Sequence, residues 1–259
     1  MNILVFDIET IPDIDSGKKI FNLDDLSEEN VVQVMQNHRY QQSDGKTEFL
    51  QLYLHKIVSI SVILKTSDKI NVWSLGNKSS SEAELLEHFY EGIERYTPTL
   101  VSWNGSGFDL PVMHYRSLIH GVVSQRYWES GDGDQSFRWN NYLSRFHSRH
   151  TDLMDVLSGY IPTAKAPLDK IATILGFPGK MDMSGEKVWE KYRAGDIESI
   201  RNYCETDVLN TYLIYMRYQL IRGKLTNDSY IEECNQVREM LKNKKKSHLE
   251  EFLNAWQDS

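Results

Sequence analysis

Two carboxylic acids stand two residues apart near the start of the chain, in the stretch NILVFDIET. The apolar residues before Asp7 predict a buried strand, in which successive side chains point to opposite faces. Asp7 and Glu9 therefore project from the same face of that strand. Two like charges held this close raise the free energy of the folded chain unless a divalent cation or a shared proton neutralises them.

A further acid, Asp109, follows the strand-like stretch TLVSWN and the glycine-containing turn GSGF. An Asp at this place, with Pro111 shortly after it, is also typical of a helix N-cap. Both interpretations of Asp109, metal ligand and N-cap, are open when this stretch is taken alone.

The last candidates lie in the stretch NYCETDVLN. Tyr203 and Asp207 are four residues apart, so they share one face of a predicted helix with Ile200, Thr211 and Ile214. A carboxylate on an inward-facing stripe must be paired or bound to a metal. Taken alone, this stretch is better explained by a surface Asp beside a core Tyr.

The candidate ligands of the three stretches are all oxygen atoms, which favours Mg²⁺ or Mn²⁺ over zinc. Four carboxylates can hold two such ions about 3.5–4 Å apart, an arrangement that stabilises both the attacking and the leaving oxygen of a phosphodiester. A metal ion bound between the acids would neutralise their mutual repulsion.

The stretches FDIET, WNGSGFDLP and YCETD, in this order, resemble the three exonuclease motifs of the DEDD superfamily, whose catalytic domains have a ribonuclease H-like fold. More closely, the chain resembles the predicted 3′–5′ exonucleases related to the exonuclease domain of family B DNA polymerases, over most of residues 1 to about 225. The resemblance implies an enzyme that releases nucleoside monophosphates from a single-stranded 3′ end by a two-metal mechanism.

The resemblance also implies roles for individual residues. The acids that would bind two Mg²⁺ or Mn²⁺ ions are Asp7, Glu9, Asp109 and Asp207. Tyr203 would position the attacking water, and Asn202 before it makes this the tyrosine rather than the histidine form of the third motif. We expect nucleic-acid contacts from the motif residues Thr10, Asn104 and Phe108.

The segment SFRWNNYLSRFHSRH, residues 136–150, contains three arginines and four aromatic residues but no acid. Arginine on phosphate and aromatic rings on bases suit a single-stranded groove, so Arg138, Arg145 and Arg149 are predicted to bind nucleic acid. The alternative is a structural element with core aromatics and solvated arginines. Lys165 and Lys180 are further candidates for phosphate contacts. DNA is expected rather than RNA.

Other polar residues have structural interpretations. Asp152 and Asp155 are expected to cap or flank a helix, and Glu205 to point away from the site. Cys204 and Cys234 form no disulfide framework and are expected to be ordinary thiols. The basic run from Lys242 to Lys246 is interpreted as a solvated helix face.

The elements that would position these residues alternate between strands and helices. KIVSISVILK and KINVWSL predict a hairpin, and Ser81 with Glu84 forms a capping box for a helix that follows. Further helices are predicted from about Ser27 to Gln42 and from about Asp196 to Arg222. This order predicts an α/β fold with a mixed central sheet flanked by helices, and the resemblance implies that the fold is ribonuclease H-like.

The 259 residues are divided into an exonuclease domain at 1–225, with an insertion at about 13–50, and a helical extension at 226–259. A net charge of −8 argues against a protein that coats long stretches of nucleic acid, although not against one that grips a short end. No apolar run approaches the roughly 20 residues of a membrane span, so we expect a cytoplasmic protein with no membrane partner.

Two alternatives to a nuclease are weighed. A catalytically silent module of the same fold would bind nucleic acid or a protein partner; the full set of acids argues against it. A phosphatase of the haloacid dehalogenase type is suggested by FDIET, but the second acid is Glu rather than Asp and the third motif lacks the paired acids required.

Overall fold

The computed structural model describes residues 2–181 and 183–256. Five strands form one mixed sheet with the spatial order β3-β2-β1-β4-β5. Their bounds are Ile3–Pro12 (β1), His55–Lys65 (β2), Ile70–Ser74 (β3), Thr99–Ser102 (β4) and His150–Asp152 (β5). The first three strands pair antiparallel, whereas β4 runs parallel to β1 and to β5. This topology confirms the predicted ribonuclease H-like fold.

The helices cover both faces and the ends of the sheet. The longer ones are Ile14–Phe21 (α1), Glu28–Gln42 (α2), Glu82–Tyr96 (α3) and Asp109–His120 (α4). Four short ones follow, Gln125–Trp128 (α5), Leu153–Leu157 (α6), Leu168–Ile174 (α7) and Val188–Arg193 (α8). The chain then forms Ile197–Ile221 (α9), Asn227–Lys244 (α10) and Ser247–Ala255 (α11). None of the helices in the described part of the chain is long and apolar enough to cross a membrane.

The alternation of side chains along β1 divides the core into two. Leu4, Phe6 and Ile8 pack with residues of α3 and α4 on one face of the sheet. Val5 packs on the other face with α9, α10 and α11. Asp7 and Glu9 share the face of Val5, so the two acids point towards α9.

The carboxyl end of β1 is paired with β2 but not with β4. Its parallel ladder with β4 covers only Ile3 to Val5, and the ladder with β2 has a bulge between Glu9 and Thr10. Asp7 and Glu9 therefore lie beyond the end of β4. The carboxyl ends of neighbouring parallel strands are where open α/β sheets place their sites.

Local sequence signals set several element boundaries as predicted. Ser27 and Asp196 accept hydrogen bonds from the first-turn N–H groups of α2 and α9, and Ser81 with Glu84 forms the capping box of α3. The hairpin of β2 and β3 is also confirmed.

The segment at 13–50 contains two helices, whereas the sequence predicted one. Helix α1 is only eight residues long and begins at the side-chain cap of Asp13. It packs closely on α2, because a Cβ at Gly17 would collide with Met35. Helix α1 has few residues and contains Gly17, which disfavours a helix interior, and both features explain why the sequence did not predict it. The proposed domain boundaries stay predictions, and residues 257–259 of the predicted extension lie outside the described residues.

Candidate metal centre

Asp7 and Glu9 form the strand side of the candidate site. Asp7 is partly accessible, whereas Glu9 is buried. The thiol of Cys204 on α9 donates to the backbone oxygen of Asp7 at 3.3 Å and lies 3.5 Å from its Oδ2. Potential ligand atoms of Asp7, Glu9 and Cys204 all lie within 4.8 Å of one another. Nothing in the sequence indicates that Cys204 reaches this site.

Asp109 reaches the same region from α4. It is 3% exposed, and its Oδ1 accepts the N–H of Ile8, between the two strand acids, at 3.1 Å. The N-cap interpretation of Asp109 is wrong: Phe108 occupies the cap position, and Asp109 is the first helical residue. The side chain of Asp109 turns towards β1 rather than towards its own helix.

The loop between β4 and α4 is held in place by Asp152. Its carboxylate accepts the N–H groups of Asn104 and Ser106, each at 2.9 Å, and also caps α6. A side chain at Gly105 would collide with Ser102, so the loop can pass this close only without one. The cap role predicted for Asp152 is confirmed, and the same carboxylate holds the loop that presents Asp109.

Tyr203 and Asp207 contribute the helix side of the site. Both are partly buried on α9, the helix that Asp7 and Glu9 face. Burial raises the pKa of Asp207 to about 7, and a hydrogen bond from Tyr203 opposes that rise. The pKa of Tyr203 is raised by burial and then by the charge of Asp207, so its hydroxyl keeps its proton.

The four carboxyl groups lie close enough to affect one another's ionisation. Burial, followed by the charges of its neighbours, raises the pKa values of Asp7 and Glu9 well above their ordinary range. Burial likewise raises the pKa of Asp109 to about 7. Within residues 2–181 and 183–256, no Lys, Arg or His lies within ion-pair distance of any of the four.

The donor set fits hard divalent cations. Four carboxylates from three elements supply oxygen ligands only, and their mutual repulsion is relieved by positive charge between them. Burial, followed by the nearby acids, raises the pKa of Cys204, so the sulfur stays a thiol and is a poor ligand at neutral pH. A soft thiolate-binding metal is therefore disfavoured.

The three motif residues expected to contact nucleic acid lie around the carboxyl groups. Thr10 Oγ1 is 2.9 Å from Nδ1 of His55. Asn104 lies in the loop before Asp109, in a left-handed backbone conformation. Phe108 packs its ring against those of His55 and Phe49, at 5.2 and 5.8 Å.

Phe49 contacts Phe108 beside the candidate site, and the sequence did not predict this. It is 57% exposed although it contacts two other rings, and it is fixed by its backbone, whose oxygen accepts from Arg39 at 3.1 Å. Its surroundings in the sequence, KTEFLQ, have no periodicity or motif. Its position beside Phe108 comes only from the way the 13–50 segment folds back.

The three predicted arginines have different environments. Arg138 is exposed and lies over the ring of Trp139. Arg145 donates to Asp155 at 2.6 Å. Arg149 donates to the backbone oxygen of Asn140, and its guanidinium lies 3.7 Å from the ring centre of Phe137. Arg149 is therefore engaged within its own segment.

The two predicted lysines also have different environments. Lys165 is 3.1 Å from Oδ1 of Asp155. Lys180 is exposed, and its charge opposes the rise that burial causes in the pKa of Asp207.

Glu205 points away from the carboxyl groups, as predicted, and is nevertheless buried. It accepts the backbone N–H of Ser74 at 3.0 Å, Nζ of Lys246 at 3.1 Å and Nε2 of His248 at 2.8 Å. Lys246 is exposed, but it departs from the predicted helix face because it lies in the turn between α10 and α11 and pairs with Glu205. The sequence carries no signal for this contact, which joins residues 41 positions apart.

Fold and site together define a class of protein: a ribonuclease H-like nuclease domain with a carboxylate centre. Residues 47–256 match the family described as predicted 3′–5′ exonucleases related to the exonuclease domain of PolB, and the chain belongs to this family. The matched segment begins after β1, so it includes Asp109, Tyr203 and Asp207 but neither Asp7 nor Glu9. The family match leaves the phosphatase alternative without support.

The chain is also similar to the large catalytic chains of DNA polymerase epsilon. It is 27% identical to the Saccharomyces cerevisiae protein over 147 residues and 26% identical to the Dictyostelium discoideum protein over 140 residues. These alignments cover 54% and 53% of this chain but only 6% of each polymerase.

Proposed function

We propose that this protein is a metal-dependent 3′–5′ exonuclease that removes nucleoside monophosphates from a single-stranded nucleic-acid end. The observation that carries the proposal is the convergence of four carboxyl groups from β1, α4 and α9, with no cationic side chain paired to them in the described part of the chain. Membership in the exonuclease family supports the reaction type.

Asp7, Glu9, Asp109 and Asp207 would hold two Mg²⁺ or Mn²⁺ ions. Such ions, when bound, lower the pKa of a water molecule and stabilise the charge that develops on the phosphate. The protein's own part is to hold its carboxylates in place: the Ile8 N–H orients Asp109, and the Cys204 thiol contacts Asp7. The hydroxyl of Tyr203, which keeps its proton, would orient the attacking water by a hydrogen bond.

DNA is the substrate that we propose first, because the similar proteins are catalytic chains of a DNA polymerase. The aromatic surface at Phe49 and Phe108 suits unpaired bases, which can stack on exposed rings. A duplex would keep its bases stacked on each other and out of reach of these rings.

The experiment is incubation of purified protein with 5′-labelled single- and double-stranded DNA and RNA, with Mg²⁺, with Mn²⁺ and with a chelator. We expect a ladder of products shortened from the 3′ end of single-stranded DNA, release of nucleoside 5′-monophosphates, and no cleavage in chelator. Asp7→Ala should abolish cleavage, whereas Asp68→Ala, at an exposed hairpin acid, should not.

A catalytically silent binding module predicts a different pattern. The wild type would then bind the oligonucleotide without shortening it under any metal condition. Cleavage by Asp7→Ala at the wild-type rate would point to a contaminating nuclease.

A further inference from the structure

A cavity of about 550 Å³ opens beside the loop that presents Asp109. Ser106 and Gly107 of that loop form part of its wall, and Leu110 and His114 of α4 continue it. The opposite wall includes Asp155 of α6. The cavity therefore lies against the loop at 104–108 that presents Asp109, and none of the four carboxylates lines it.

The rim of the cavity has a surplus of positive charge. Asp155 is buried and faces two cations: Nη2 of Arg145 at 2.6 Å from Oδ2, and Nζ of Lys165 at 3.1 Å from Oδ1. The Lys165 contact lacks the alignment of a hydrogen bond, since Oδ1 has no hydrogen-bond partner. Two cations against one carboxylate leave one positive charge and several N–H donors for an incoming anion.

Aromatic rings line the interior of the cavity. Tyr127 and Tyr142 are buried and stacked on each other, so they belong to the core. Trp128 is 47% exposed and is supported from behind by the rings of His114 and Tyr127, at 4.8 and 5.2 Å. Trp128 is thus a supported ring with a free surface at the cavity.

We propose that this cavity binds one nucleotide of the single strand upstream of the scissile bond, with its base on Trp128 and its phosphate at Arg145 and Lys165. The inference rests on the proposed function for the identity of the strand. The volume of the cavity lies within the range of about 300–1,000 Å³ usual for small-molecule sites. A supported indole and a cationic rim are the two features that single-stranded nucleic acid requires.

The test measures binding without turnover, in the Asp207→Asn background with Mg²⁺. A series of oligonucleotides carries one abasic nucleotide each, at successive positions from the 3′ end. We expect one position at which loss of the base weakens binding about 5- to 150-fold, the range that stacking of one base provides. Trp128→Ala should remove the sensitivity at that position alone. Trp139→Ala, which removes an 80% exposed indole that does not line the cavity, should preserve it.

The cationic rim is tested separately, in case Trp128→Ala does not fold. Lys165→Ala should lower the salt dependence of binding, whereas Lys170→Ala, an exposed lysine of α7 outside the cavity, should not. Two results together would overturn the proposal. The first is that the Asp207→Asn protein, with or without Trp128→Ala, is equally sensitive to every abasic position. The second is that Lys165→Ala leaves the salt dependence of binding unchanged.

Two further arms separate the remaining outcomes. Saturable binding of free thymidine 5′-monophosphate that Trp128→Ala abolishes, without any position-dependent abasic effect, would assign the cavity to a free nucleotide and overturn its assignment to the strand. Wild-type protein that shows no cleavage, although the abasic effect is present, would refute the nuclease function and leave the cavity assignment intact. Cleavage by the wild type without any abasic effect would overturn the assignment of the cavity and leave the nuclease function intact.

Discussion

The side chain of Asp109 accepts the backbone N–H of Ile8 at 3.1 Å, across 101 residues of sequence. This hydrogen bond joins the first turn of α4 to the middle of β1, between Asp7 and Glu9. Under the proposed function Asp109 has two separable roles, since its oxygen accepts the Ile8 N–H and its charge would bind a metal ion.

The two functions of Asp109 should separate by mutation. Asp109→Asn keeps an oxygen that can accept from Ile8, so the variant should fold with wild-type or slightly greater stability in chelator, where repulsion is relieved. Its hydrolysis rate should fall by several orders of magnitude. Asp109→Ala should lose stability as well. Thermal denaturation and single-turnover cleavage measure the two effects; an active Asp109→Asn protein would show that this carboxylate binds no metal.

In the metal-free protein, the carboxyl groups of the candidate site should lower the free energy of unfolding as the pH rises. Burial raises the pKa values of Asp109 and Asp207 to about 7 in the folded state, against ordinary values near 4. Between pH 4 and 7 the folded chain thus holds protons that the unfolded chain has released, so the free energy of unfolding falls across this range. His114 and His150, whose pKa values burial lowers to about 4, contribute with the opposite sign, so the effect of the site acids is isolated by comparing the wild type with Asp207→Asn in chelator.

Divalent cations should reverse that pH effect. Mg²⁺ or Mn²⁺ should raise the Tm more at pH 8 than at pH 5.5, because the carboxyl groups are ionised at pH 8 and binding stabilises the folded state. Between pH 5.5 and 8 in chelator, the Tm of the wild type should fall more, or rise less, than the Tm of Asp207→Asn. Equal slopes for the two proteins would mean that Asp207 does not titrate in this range.

Tyr203 and Asp207 should differ in the size of their effects. Asp207→Asn removes a proposed metal ligand and should cost several orders of magnitude in rate. Tyr203→Phe removes only the hydroxyl that orients water and should cost roughly 10- to 10³-fold. Tyr212→Phe is a matched control on the same helix, where the lost hydroxyl contacts Glu233. The measurement is the single-turnover cleavage rate of each variant. A Tyr203→Phe rate equal to that of the wild type would show that Tyr203 serves only in packing.

The arginines of residues 136–150 should separate into two groups. Arg138→Ala should leave stability unchanged and lower the salt slope of single-strand binding by about 0.7, the value for one phosphate contact. Arg149→Ala should lower the free energy of unfolding by about 1–3 kcal/mol, because it loses Asn140 and the Phe137 ring. Salt titrations and denaturant unfolding test both. Unchanged stability in Arg149→Ala would contradict its assignment to structure.

Glu205 should stabilise the docking of the C-terminal helices in a pH-dependent way. Hydrogen bonds and the charges of Lys246 and His248 outweigh burial and lower its pKa to about 2. Its contribution is therefore present above about pH 4.5 and is lost as the pH falls towards 2. Glu205→Gln should cost about 2 kcal/mol at pH 7 and less at pH 3. Glu198→Gln, an exposed acid of α9 paired with Lys78, should change stability little. A cost for Glu205→Gln that did not shrink in acid would refute the ionic role.

The sequence by itself determined the features that depend on neighbouring residues. Capping side chains at Ser27, Ser81 and Asp196 mark helix starts because the cap bonds lie within one turn. The two-residue spacing of Asp7 and Glu9 places them on one face of a strand for the same local reason.

Only the tertiary structure decided which distant groups meet. The contacts of Asp109 with Ile8, of Cys204 with Asp7 and of Lys246 with Glu205 span 101, 197 and 41 residues. No local pattern encodes these separations, because they result from how helices pack on the two faces of the sheet. For the same reason the exposed ring of Phe49 and the cavity at Trp128 appear only once the chain is folded.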